Sequence, residues 1–82
     1  MALYFLSYDL RNRRDYQTLY DELVNFNAVR ILESLWCFNR IDTTSAEIRD
    51  HFKNYIDGDD GLVVSKADGW ATFNAINTPK DL

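Results

Sequence analysis

Ala2-Leu3-Tyr4-Phe5-Leu6-Ser7-Tyr8-Asp9 is the stretch that decides how the rest of the chain is read. It is apolar and rich in aromatic residues, has no turn former inside it, and ends in a charge. That is the pattern of a strand buried on both faces that delivers a carboxylate to the edge of a sheet. Arg11, Arg13 and Arg14 follow at once. An acid can hold a hard cation and fork-shaped guanidinium donors can hold phosphate, so the combination suits a metal-bound or phosphate-bearing ligand. The same residues also read as a core strand running into an Asx-type turn with solvated charges, and the residues alone leave both readings open.

Working outward, Asp15 is a suitable N-cap for a helix reaching about Phe26, with Tyr16, Leu19, Tyr20, Leu23 and Val24 on one stripe. Asn27 suits the left-handed position that ends a helix. From Ala28 to Ile41 the pattern is that of strands. Fourteen residues are long for one strand, which predicts two, joined by a tight turn near Leu32 to Ser34. Thr44 and Glu47 have the spacing of a capping box, and Ile48, Phe52, Tyr55 and Ile56 continue from it as a second apolar stripe that Asp57-Gly58 ends. Leu62 to Ala67 reads as a strand, Asp68-Gly69 as a hairpin turn, and Trp70 to Asn74 as a short last strand.

The order strand, helix, strand, strand, helix, strand predicts an α+β fold. It is the ferredoxin-like β-α-β-β-α-β arrangement, an antiparallel sheet with both helices on one face and a short extra C-terminal strand. The expected domain is 1-74, with a loose tail over 75-82. The second face of such a sheet would carry apolar residues with nothing above them, which points to a homodimer.

Eighty-two residues allow one small core. Cys37 is the only cysteine and cannot form an internal disulfide, so a reducing, cytoplasmic setting is expected. No signal-like segment or membrane-length apolar run occurs in the sequence. The net charge of −4 argues against a general polyanion binder. Its distribution is uneven, however. Residues 1 to 41 hold five arginines against five acids, and residues 42 to 82 hold four bases against eight acids. The bases suited to phosphate are therefore concentrated in the first half.

Two motifs carry a family resemblance: Leu6-Ser7-Tyr8-Asp9-Leu10 with Arg13-Arg14 behind it, and Arg30-Ile31-Leu32-Glu33-Ser34-Leu35-Trp36. On these the chain resembles, over residues 2 to 67, the second of the CRISPR-associated proteins and its relatives, which include the virulence-associated protein D nucleases. The resemblance implies a ferredoxin-like homodimer in which Asp9 of each subunit faces its twin across the twofold axis. It further implies a divalent metal, Mg or Mn, between those two acids in nuclease members, and a nucleic-acid-gripping scaffold in others. Asp9 is then the catalytic and metal-binding acid. Arg11, Arg13, Arg14 and Arg30 are candidates to face RNA or DNA phosphates, and Ser34 matches the family serine. The chain departs from the family pattern at Cys37, where an acid is common, and at Phe26-Asn27, where Tyr-Gly is common. A protein partner for the acidic second half is a further reading.

Other features predict less. His51, the only histidine, reads as a partly exposed helix residue. Cys37 between Trp36 and Phe38 reads as a small buried hydrophobe. Asp57-Gly58-Asp59-Asp60-Gly61 lacks the downstream glutamate of a calcium loop and reads as a helix stop followed by a turn.

Overall fold

The computed structural model describes residues 1–11 and 16–82. Its elements are β1 (Ala2–Asp9), α1 (Gln17–Asn25), β2 (Val29–Leu32), β3 (Leu35–Arg40), α2 (Ser45–Phe52) and β4 (Gly61–Lys66). The four strands lie in the order β2-β3-β1-β4, every pair antiparallel. The α+β class, the antiparallel sheet and the ferredoxin-like element order stand as expected.

The period of two along β1 sorts its side chains. Tyr4, Leu6 and Tyr8 are buried on the helix side, where they join Trp36 and Phe38 of β3, Leu19 and Leu23 of α1, and Ile48 and Phe52 of α2 in one core. Both helices thus cover the same face. Helix α1 has only nine residues, too few to be stable alone, so its stability comes from this packing. Val24, expected on the buried stripe, is 61% exposed, because Leu19 and Leu23 one turn apart already fill the contact.

Local signals act as the residue types dictate. Asn27 takes φ 57°, and the N–H of Ala28 closes the helix end on the Leu23 carbonyl at 3.0 Å. Thr44 Oγ1 accepts from the Glu47 N–H at 3.1 Å. Helix α2 stops at Phe52 and tightens into a 3-10 turn over Lys53–Tyr55, short of the expected continuation to Ile56. The Asp15 cap falls outside the described residues.

The C-terminal part departs from expectation. Asp68-Gly69 forms no hairpin and Trp70 to Asn74 form no strand. The primed turns of a two-residue hairpin need positive φ, and neither Asp68 nor Gly69 adopts it. The chain instead crosses the sheet's second face, where Trp70 to Phe73 and Ala75 line a groove with Phe5, Ile31, Leu32 and Leu35. The tail expected to be loose is bonded to β2. The Ile76 N–H reaches the Ile31 carbonyl at 2.8 Å and the Asn77 Nδ2–H reaches the Arg30 carbonyl at 2.9 Å. A 3-10 turn over Pro79–Asp81 follows, closed by a Thr78–Asp81 capping box. We call residues 75–82 the strap. Ile31 and Cys37 are fully buried on the face it crosses, whereas Val63 on β4 and Phe73 are exposed, at 63% and 87%. The second face is therefore covered over β2 and β3 and open over β4. Among the described residues no helix is long and apolar enough to cross a membrane.

Candidate functional site

At the carboxyl end of β1 lies a cavity of about 270 Å³, lined by Tyr8, Asp9 and Leu10, Tyr20 of α1, Arg30 of β2, and Glu33 and Ser34 of the β2–β3 turn. Three of the predicted residues, Asp9, Arg30 and Ser34, thus share one cavity. The turn is held to β1 by the Tyr8 N–H, which donates to the Ser34 carbonyl at 3.1 Å.

The floor of the cavity is a satisfied polar network around the Tyr8 hydroxyl. That hydroxyl donates to the Glu33 carbonyl at 3.1 Å and accepts from Trp36 Nε1–H at 3.2 Å and Arg30 Nη2–H at 3.4 Å. Arg30 Nε also donates to the Glu33 carbonyl at 2.9 Å, and Nη2 bonds the same oxygen. Its guanidinium lies 5.2 Å from the Tyr20 ring centre and 5.4 Å from that of Trp36, within cation–π range. Burial pushes the Tyr8 phenol above its ordinary pKa, with the nearby Tyr20 adding to the rise, against the Trp36 hydrogen bond and Arg30 charge, which favour the anion. The phenol is therefore neutral and the arginine pre-set, so the cavity holds a fixed guanidinium beside the acids Asp9 and Glu33.

Asp9 stands at the rim with its side chain 70% exposed, ion-paired to Arg11 Nε at 3.1 Å. Arg11 turns away from the cavity. Its Nη1 donates to the Asp59 carbonyl at 3.0 Å and its N–H to Asp60 Oδ1 at 2.8 Å. Gly61 leaves room for this, since a Cβ there would come within 3.0 Å of Arg11 Nη2. Arg13 and Arg14 lie outside the described residues.

The Asp57–Asp60 segment is a turn, as expected: Asp60 Oδ2 accepts from the Asp57 N–H at 2.9 Å, while Oδ1 accepts from the Arg11 N–H and the Tyr16 hydroxyl. His51 is half-exposed and bonds Glu22, linking α2 to α1. Cys37 is buried, and burial with the Asp81 charge pushes its thiol up to about 11, so it is no nucleophile at neutral pH.

Among the described residues no group of three or more His, Cys, Asp or Glu could hold a metal ion. One exposed carboxylate under a guanidinium is not a magnesium site within a single chain. Two copies of Asp9 would supply the one or two carboxylates that magnesium commonly takes.

Tyr8, Tyr20, Glu33 and Trp36 are parts of the site that the motif reading did not assign. The signal for Tyr8 and Trp36 was present, since each is itself part of one of the two motifs. Glu33 contributes its backbone carbonyl, which no residue type reveals. No protein-family model matches the chain, and no solved structure matches it.

Proposed function

We propose that this chain acts as a homodimer of the CRISPR-associated type, a metal-dependent nuclease-like protein directed at RNA or DNA and resident in the cytoplasm. Asp9 of each subunit would face the twofold axis and the two carboxylates together would hold Mg or Mn. Such an ion would lower the pKa of a water so that, once its proton passes to solvent, hydroxide is available to attack a phosphodiester. Arg30 binds and orients the phosphate from the cavity beside Asp9, and the Ser34 hydroxyl is a second donor at the rim. The observation that carries this reading is the gathering of Asp9, Arg30 and Ser34, from two separate motifs, around one cavity. The Asp9–Arg11 pair is exposed, and such pairs contribute only about 0–1 kcal/mol, so a cation can displace the guanidinium.

A second reading is a non-catalytic dimeric adaptor or nucleic-acid-binding scaffold of a larger complex. It is favoured by Arg11, whose guanidinium neutralises Asp9 and is fixed to the Asp59 carbonyl. The deciding experiment is cleavage of short single- and double-stranded RNA and DNA, with and without magnesium or manganese, beside Asp9→Asn. The nuclease reading expects metal-dependent cutting that falls at least ~100-fold in the variant, the order of loss when a principal catalytic group is removed. Salt-sensitive binding without cutting, equal in both proteins, would transfer the assignment to the scaffold.

A further inference from the structure

The cavity at the end of β1 and the strap on the opposite face of the sheet meet at one short piece of backbone, the bulge in β2. Val29 pairs with Cys37, Arg30 with Trp36 and Leu32 with Leu35, so Ile31 is an extra residue with no partner on β3. A bulge disrupts the ladder locally and re-aims the side chains beside it. Arg30, opposite Trp36 in the register that precedes the bulge, lies on the helix side over Tyr20 and Trp36, and the extra residue Ile31 is buried beside the groove on the other face. The carbonyls of both residues are taken by the strap, Ile31 by the Ile76 N–H at 2.8 Å and Arg30 by the Asn77 side-chain amide at 2.9 Å.

We infer that the strap is a positioning element for the Arg30 guanidinium, with Asn77 as its positioning residue. By holding the two bulge carbonyls from the second face, it fixes the backbone from which Arg30 reaches the Tyr8 hydroxyl and the Glu33 carbonyl. The two faces of the sheet are thereby coupled. Coupling between sites is reciprocal, so loosening the Arg30 network from the cavity side must also loosen the strap. This inference concerns the orientation of the arginine and does not depend on which ligand the cavity takes, or on cleavage.

Two side chains already in the chain report the two ends. Cys37 is buried on the face the strap crosses, and its thiol can ionise and attack an aromatic disulfide reagent, releasing the aromatic thiolate, only when uncovered. Trp36 lies beneath Arg30, and Trp70→Phe leaves it the only tryptophan. In that background, with the full chain under native conditions, Asn77→Ala is expected to speed Cys37 labelling about three- to tenfold, the population change carried by one intramolecular hydrogen bond. It is also expected to shift Trp36 emission, although Asn77 and the indole lie on opposite faces. From the other side, Tyr8→Phe is expected to speed Cys37 labelling. Thr44→Ala weakens a helix cap remote from both and should leave labelling unchanged. The inference is overturned if Asn77→Ala speeds labelling with Trp36 emission unaltered, for then the strap is only a cover. It is overturned equally if Tyr8→Phe leaves labelling at the parent rate, or if Thr44→Ala accelerates it as much as Asn77→Ala, for then the strap opens only with the whole fold.

Discussion

Tyr8 illustrates how one side chain sets the character of the site. Its ring is part of the core, and its hydroxyl satisfies Trp36, Arg30 and the Glu33 carbonyl at once, so a buried polar atom is fully bonded. Part of this was legible. The apolar run placed Tyr8 in a buried strand, and the motif placed Asp9 beside it. The partnership with a backbone carbonyl 25 residues away was not legible, because carbonyls have no residue identity. A second residue-scale contact makes a prediction in pH. Glu22 bonds His51 across the helices, and that hydrogen bond, aided by Asn25, holds its carboxyl below the ordinary value of 4.5 despite an opposing effect of burial. A carboxyl with a lowered folded-state pKa contributes stability that is present above its unfolded value and is lost as pH falls through the folded one. Denaturant titrations at pH 7 and at successive pH values below 4.5 should show an acid loss that is shallower in Glu22→Gln and in His51→Ala. Parallel curves for the parent and both variants would mean that the contact contributes no linkage.

At the scale of the elements, the local signals were the readable ones. Thr44 and Glu47 announce the start of α2, and Asn27 the end of α1, because each acts on backbone groups within a few residues. Thr44→Ala should lower unfolding stability by about 1 kcal/mol, the usual worth of an N-cap hydroxyl, as measured by urea titration. A change within error would mean that the Glu47 N–H finds water at no cost. The C-terminal elements were unreadable for the opposite reason. Asp68-Gly69 carries a hairpin signature, but neither residue takes the positive φ that a two-residue turn back along β4 needs. The strap instead runs to the edge strand β2, where the Arg30 and Ile31 carbonyls beside the bulge accept from it. Strap formation depends on that distant irregularity, and a pattern of alternating residues does not encode which strand residue will be left over.

For the whole molecule, the sheet order and the shared helix face follow from element order and short connections, which is why the fold class was legible. The candidate site was legible to the extent that two motifs pointed to Asp9, Arg30 and Ser34. What the motifs could not say is that Arg11 turns to the Asp57–Asp60 segment, since its partners there lie 48 and 49 residues on and one of them is a backbone carbonyl. The expectation of a homodimer rested on an uncovered apolar face. The chain from Trp70 onward crosses that face over β2 and β3 and leaves Val63 of β4 exposed, while Asp9 remains exposed at the strand's end. In the proposed function, a shared metal is the feature on which dimer, acid and activity would all depend. Two carboxylates brought together without a cation repel, and a cation between them relieves this, so binding should be linked to pairing of the chains. The most direct measurement is a titration of the full chain with manganese, followed by the paramagnetic resonance of the free ion, beside Asp9→Asn. The account predicts saturation at one ion per two chains, abolished in the variant. Saturation at one ion per chain, or binding that survives Asp9→Asn, would contradict it.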